Sequence, residues 1–246
     1  MLKKKIFILI LLIVSSYSCT TPEVNESKFN FFAEQFEDIK VLRYQVPGFE
    51  ELTLKQKKLV YFLTEAGLAG RDIMYDQNYR HNLSIRRALE NVYSKYDGDK
   101  ENSNWKSFEI YLKRIWFSNG IHHHYSNDKF VPGFSNEYLQ SLLSDTETSL
   151  NSDALDIIFD DSDSKKVNRD ASKGLVIGSA VNFYGEDVTE KDVDTFYSIL
   201  KSPDPNKPLS LGLNSKLVKE DGKLMEKIYR VDGMYSNSIK KIIYWL

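Results

Sequence analysis

NWKSFEIYLKRIW, Asn104 to Trp116, is the stretch from which the fold class is read. Trp105, Phe108, Leu112, Ile115 and Trp116 recur at the three- and four-residue spacing that brings side chains to one face of an α-helix. Such a heavy apolar face has to be buried against other elements. Upstream, Ile85, Leu89, Val92, Tyr93 and Tyr96 predict a helix from about Ser84 to Tyr96, ended by the turn pair Asp97-Gly98. Further upstream, Thr53-Leu54-Lys55-Gln56 fits a capping box, in which the Thr hydroxyl and Gln amide satisfy free backbone N–H groups reciprocally. The helix it opens carries Leu59, Leu63 and Ala66 on one stripe and Val60, Gly67 and Gly70 on the next. Gly67, Ala69 and Gly70 are small enough to let another backbone approach, which suits helix packing.

Downstream of the quoted stretch, Phe134-Ser135 opens a shorter helix through Leu142. Ser144–Lys173 is rich in Ser, Asp and Asn, with one apolar island (Leu155, Ile157, Ile158, Phe159) suited to a single docked helix. The pattern then changes. KGLVIGSAVNFY, Lys173 to Tyr184, is β-like in composition, although its glycines weaken a strand. Thr189 caps a helix to about Leu200, and Pro203, Pro205 and Pro208 enforce an extended loop. Leu211–Lys219 and Leu224–Val231 flank Asp221-Gly222, the strongest short hairpin signal in the chain. A last helix starts near Ser236, with Ile239, Ile242, Ile243 and Leu246 at i, i+3, i+4 and i+7. The fold class is α+β: a mainly helical N-terminal part followed by a small β portion with a hairpin.

Composition bounds the function classes. The 246 residues suffice for one large domain or two small ones, and 14 Phe with 15 Tyr supply a core that disordered chains lack. The formal charge of −2 leaves no broad basic face, so nucleic acid is not the expected partner. Lys3, Lys4 and Lys5 precede an unbroken apolar run, Ile6 to Val14, and Ser15, Ser16, Tyr17 and Ser18 lead to Cys19. That run is far short of the roughly 20 residues a spanning helix needs. It reads as a bacterial secretory signal over residues 1–18.

Cys19, the only cysteine, stands where a lipoprotein signal is cut and acylated, with 19–30 as a polar tether. A plain cleaved signal with an incidental cysteine is the alternative, because Ser16 replaces the usual leucine. Removing residues 1–18 takes away three of the 33 basic residues and none of the 35 acidic ones, so the charge falls from −2 to −5. A single cysteine allows no disulfide within the chain, so stability in the periplasm must come from core packing. At the other end Tyr244-Trp245-Leu246 leaves an apolar stripe in mid-course. Either the last helix docks on the core, or the polypeptide is a piece of something longer.

His122, His123 and His124 are the first place to look for chemistry. Imidazoles suit zinc, copper and nickel, but neighbours in an extended segment point to alternate sides, and only His81 remains besides. No histidine is followed by Glu, so the His-Glu-x-x-His signature is absent. Gly-x-Ser-x-Gly and Gly-x-x-x-x-Gly-Lys-Ser/Thr are absent as well. Glu50-Glu51 and Asp160-Asp161 are sequential neighbours that suit solvent better than catalysis. These residues therefore yield no catalytic and no metal-binding set, and Cys19 as a lipid-attachment residue is the one site assignment.

WFSNGIHHHYSNDKFVP (Trp116–Pro132), LRYQVPGFEELTLKQKKLVYFLTEAGLAGRDI (Leu42–Ile73) and KGLVIGSAVNFYGEDVT (Lys173–Thr189) resemble the bacterial branch of the dipeptidyl-peptidase III family. The resemblance runs from about Phe32 to Leu246. It implies a zinc exopeptidase that removes N-terminal dipeptides from short peptides, with two lobes around a cleft. One lobe takes the peptide as an added strand. The other, mostly helical, holds zinc through a His-Glu-x-x-Gly-His motif and a later Glu-Glu motif, with the motif glutamate as general base. None of those residues has a counterpart in this sequence. The resemblance thus implies that residues 31–246 are a partial N-terminal, substrate-binding lobe, inactive alone, with zinc and the peptide clamp in a missing C-terminal portion. The alternative is a non-catalytic lipoprotein that binds peptides or other partners at a bacterial membrane. A metal-binding protein built on the histidines is a third reading.

Overall fold

The computed structural model describes residues 29–162, 165–200, 202, 204, 206, 207, 212 and 214–246. The expected signal, Cys19, most of the expected tether and half of the Pro203–Pro208 loop, its three prolines included, lie outside the described residues. The chain divides into two compact units, Met1–Pro47 and Gly48–Leu246. In the first, β1 (Phe32–Phe36) pairs antiparallel with β2 (Ile39–Leu42), Phe36 opposite Ile39, with a register shift between Phe32 and Glu34. The turn between them is Glu37-Asp38, with Glu37 at φ 47°. No glycine or asparagine announces that turn, which is why the sequence pattern places no hairpin here.

The second unit opens with a 3-10 turn, Phe49–Glu51, and α1 (Leu54–Ala69). The capping box at its start is formed: Gln56 N–H donates to Thr53 Oγ1 at 3.3 Å, and Thr53 N–H donates to Gln56 Oε1 at 2.9 Å. Gly70 leads directly into α2 (Arg71–Asn78), followed by α3 (Asn82–Lys95) and α4 (Ser103–Ser118). Asn102 caps α4, its side chain accepting from Trp105 N–H at 2.8 Å. Then come α5 (Asn136–Asp145), capped by Ser135, and α6 (Ser152–Phe159), capped by Asn151. The starts of α1, α4, α5 and α6 thus fall at a Thr, Asn or Ser that can accept from the first free N–H groups.

The apolar periodicity reads out as expected. Ile85, Leu89 and Val92 of α3 and Trp105, Phe108, Leu112 and Ile115 of α4 are buried in one cluster with Leu139, Leu142, Ala154 and Ile158 of α5 and α6. Trp105 stacks between Tyr96 (4.5 Å) and Tyr93 (6.0 Å). The apolar island of the polar stretch is therefore the docked helix α6.

Lys173–Tyr184 departs from its β-like composition. Ala171–Lys173 is a 3-10 turn and the chain winds through further turns, with Gly174 at φ 77°. Asn168 Nδ2 donates to the carbonyls of Asp170 and Gly174, both at 2.8 Å, and Gly178 N–H bonds to Gly174 O. A side chain captures the backbone groups that a strand would have needed. Only Phe183–Gly185 behaves as β structure, bridging in parallel to Leu217.

After α7 (Glu190–Ser198), β3 (Ser215–Glu220) and β4 (Lys223–Ile228) form the hairpin. Asp221 and Gly222 both sit at positive φ, 50° and 73°, which gives the tight turn a twist matched to the strands. Lys219 of β3 pairs with Asp192 of α7 at 2.7 Å. The final helix, α8 (Ser236–Trp245), lies along α1, where Ile242 reaches Gly70 closely enough that an added Cβ would touch it at 3.4 Å. Gly67, also expected at a close approach, has nothing within 4 Å of such a Cβ. Both helices stay largely uncovered: Leu59 is 57% exposed, Leu63 51% and Ile243 57%.

One side chain joins the two halves of the core. Asn82, 1% exposed, donates from Nδ2 to Tyr75 O (3.1 Å) and accepts at Oδ1 from Ile121 N–H (3.0 Å). To reach Ile121 it passes over Gly120, where a Cβ would stand 2.1 Å from Nδ2; Gly120 is also at φ 147°. We therefore expect Asn82→Ala, which strands the buried N–H of Ile121 and leaves the Tyr75 carbonyl with Tyr79 N–H alone, to cost roughly 1–3 kcal/mol. Gly120→Ala should cost about 2 kcal/mol or more from strain and overlap. In the Asn82→Ala background the Gly120→Ala penalty should shrink by roughly 1 kcal/mol or more, because only the φ strain is left. Urea midpoints of the four chains check this, and strictly additive losses would rule the contact out as the cause.

Candidate functional site

The histidine run lies in a loop that leaves α4 through Asn119, at φ 54°, and Gly120. Its ends are tied by Phe130 N–H to Ile121 O (2.8 Å) and His123 N–H to Asp128 O (2.7 Å). His122 turns inward, while the rings of His123 and His124 stay together at 4.5 Å, so the alternation expected of an extended segment does not separate that pair. His122 is 1% exposed and meets the edge of Tyr79 at 5.3 Å. His123 Nδ1 accepts from the N–H groups of Tyr125 (3.2 Å) and Ser126 (3.0 Å), which holds the turn. His124 packs on Phe117 at 5.0 Å, with Nδ1 3.4 Å from Ser118 Oγ. His81 sits on the other side of the Tyr79 environment, accepting from Arg80 Nε at 2.9 Å.

Among the described residues no group of three or more His, Cys, Asp or Glu is placed to hold a metal ion. The Ser118–His124 pair has the atoms of a nucleophile and a base. Yet Ser118 is 3% exposed at the end of α4, and its separation from the ring is long for proton transfer. Glu50 and Glu51 lie in an exposed 3-10 turn, and Asp160 is taken up by Ser162, whose N–H and Oγ donate to it. Among the described residues no helix is long and apolar enough to cross a membrane.

The loop does form a wall. Tyr125, Ser126 and Asn127 face Lys165, Arg169 and Lys173 across a cavity of 840 Å³. The two walls share a ladder: Lys166 N–H donates to Asn127 O (3.0 Å), while Ala180 and Val181 N–H donate to the carbonyls of Lys165 and Lys166 (3.0 and 3.2 Å). Stretches from two of the segments that carry the family resemblance thus meet here, joined through Lys165 and Lys166. Composition alone contains no signal for this, since the ladder links residues about 40 and 15 positions apart in sequence.

A second polar cluster has no signature in the sequence either. Asp76 of α2 accepts from Asn182 Nδ2 at 3.1 Å and from the Tyr235 hydroxyl, and Lys216 of β3 donates to Asn182 Oδ1. Tyr229 accepts from Gln77 Nε2 at 3.3 Å and stacks edge-on with Tyr235 at 4.8 Å. Burial and then the Asp76 carboxylate push the Tyr235 phenol far above its ordinary range, so it stays a donor. Burial also lowers the Lys216 ammonium. Tyr235 holds φ 59°, an uncommon state for a bulky residue, at the start of α8. The cluster thus clamps α8 and the hairpin to α2. Beside it lies a smaller cavity of 270 Å³ whose rim carries the Arg80–Glu186 pair at 2.8 Å.

His124 provides a pH test of the loop. Burial, then His123, then Lys166 lower its pKa below the ordinary 6.5, so the fold favours the neutral ring. Its contribution is present above the unfolded value and is lost as pH falls through the folded one. Denaturation midpoints should therefore drop as pH is taken below about 6.5, and His124→Gln should flatten that part of the profile. An unchanged slope in the variant would show that the ring does not titrate with folding.

Compared with models of protein families and with curated proteins, the chain matches none of either.

Proposed function

We propose that this chain is the N-terminal, substrate-side part of a dipeptidyl-peptidase III-like zinc exopeptidase, exported and held at a bacterial membrane by a lipid on Cys19. What carries the reading is the resemblance to that family over Leu42–Ile73, Trp116–Pro132 and Lys173–Thr189. Their meeting point supports it. The Leu42–Ile73 segment runs into the rest of α2, whose Tyr75 hydroxyl lies 3.5 Å from Trp116 O. Asn78 Nδ2 donates to Asn119 O at 3.0 Å, and Gln77 O accepts from Asn182 N–H at 2.8 Å. Tyr75, Gln77 and Asn78, which follow the first of these stretches directly, thus contact both of the other two.

The described residues do not fit zinc, so no catalytic step is assigned to them. In this reading the metal, its general base and the clamp on the peptide N-terminus belong to polypeptide beyond Leu246, and short peptides are the substrates. The apolar surface left on α1 and α8 supports this reading over a self-sufficient lipoprotein module. Surfaces of that kind are partner-facing in soluble proteins.

The 246-residue chain, assayed with dipeptidyl arylamides and added zinc, should release no arylamine. Fused to a downstream segment encoding His-Glu-x-x-Gly-His, read from the DNA after the Leu246 codon, it should release arylamine in a zinc-dependent way. Zinc-dependent turnover by the chain alone, or unrelated sequence after that codon, would overturn the reading.

A further inference from the structure

We propose that the 840 Å³ cavity between the histidine loop and the Lys165–Gly178 segment binds small oxyanionic solutes, molecules carrying a phosphate or a carboxylate group. Among the described lining residues three are cationic (Lys165, Arg169, Lys173) and one, Asp170, is acidic. Asp170 is largely used up, because its Oδ1 accepts from Ser172 N–H (3.0 Å) and Ser172 Oγ (2.7 Å). Lys165 is balanced by Asp128 at 2.7 Å. Arg169 has no carboxylate within ion-pair distance among the described residues, and Lys173 has only the longer-range pull of Asp170. An unmatched guanidinium and ammonium on one concave wall focus a positive potential. The guanidinium fork also matches the geometry of a carboxylate or phosphate.

The base that carries these cations is rigid. The Asn168 side chain spans the turn from Asp170 to Gly174, and Ser179 Oγ accepts from Asn168 N–H at 2.8 Å. At Gly178 a Cβ would stand 2.5 Å from Gly174 O and 2.6 Å from Asn168 Nδ2, so the backbone closes there without room for any side chain. The volume lies in the range of small-molecule sites. Tyr125, 82% exposed, and Val167 add apolar lining for the body of such a solute. The assignment does not depend on the peptidase reading, because a lipoprotein with no peptidase role would keep the same cations on the same base.

The test is an amide NMR titration of the full chain in detergent, once with inorganic phosphate and once with succinate, with chloride holding ionic strength constant. The expected result is saturable shifts at Tyr125–Asn127 and Asn168–Gly178 with at least one of the two anions. Phosphate alone would assign phosphorylated solutes, succinate alone carboxylates, and both the shared oxyanion chemistry. Arg169→Gln and Lys173→Gln should each weaken binding roughly fivefold, while Lys58→Gln on α1 leaves it unchanged. Both cavity side chains are exposed, so the variants retain the fold. Absence of saturable shifts with either anion at millimolar concentration overturns the proposal. So does equal binding by the Arg169→Gln/Lys173→Gln double variant.

Discussion

The carboxamide of Asn82 ties together the ends of two helices: it donates to the carbonyl of Tyr75, which also accepts from Tyr79 N–H at the end of α2, and accepts from the N–H of Ile121 after α4. Buried backbone polar groups must be paired, and here a single side chain pairs one from each direction. Much else depends on that geometry. Gly120 has to be glycine because the amide lies where a Cβ would be. The histidine loop then starts at a fixed point and in a fixed direction, which carries His122 inward and leaves Tyr125 at the surface. With the loop placed, Asn127 can accept from Lys166, and the cavity wall follows.

Charges reinforce the same junction from outside. Arg86 of α3 lies over the Tyr75 ring at 4.5 Å and pairs with Asp72 of α2 at 2.8 Å, where Arg87 also binds at 2.7 Å. Burial works against the ionised Asp72, but hydrogen bonds from Arg87 and Arg86 outweigh it and hold its carboxyl below the ordinary value. Glu90 accepts from Trp116 Nε1 at 2.8 Å, which brings α4 into the network. Exposed pairs alone add little, but two guanidinium groups on one half-buried carboxylate share the ordering cost. Keeping the apolar faces of α3 and α4 without Asp72 and Glu90 would leave their crossing less well specified.

These arrangements bear on function through what they commit. Every histidine of the run is already engaged in holding the fold, with His122 in the core, His123 fixing a turn and His124 packed on Phe117. In three dimensions the rings of the run help to fold the loop. Among the described residues, Arg169 and Lys173 of the cavity and the apolar flanks of α1 and α8 are left uncommitted. Both are features of the kind found on surfaces that meet a partner or a solute.

Features encoded within one helical turn or one hairpin were legible from residues alone. The capping box at Thr53, the cap at Thr189, the Asp221-Gly222 turn and the Trp105–Ile115 face all rest on partners no more than a few positions apart. Local geometry decides them, so local sequence reports them. The β1–β2 hairpin escaped because Glu37 takes positive φ without the glycine or asparagine that would advertise it. Lys173–Tyr184 misled because the Asn168 side chain, not composition, settles where those backbone bonds go. The clamp of Tyr235 on Asp76 joins residues 159 apart, and the ladder from Asn127 through Lys166 to Val181 joins three separate stretches. By itself the sequence determined the α+β class, the capped helix starts, the hairpin and the burial of the α3 and α4 faces. Only the tertiary structure decided which polar groups are consumed and which are left over, because a buried hydrogen bond depends on what arrives from elsewhere in the chain.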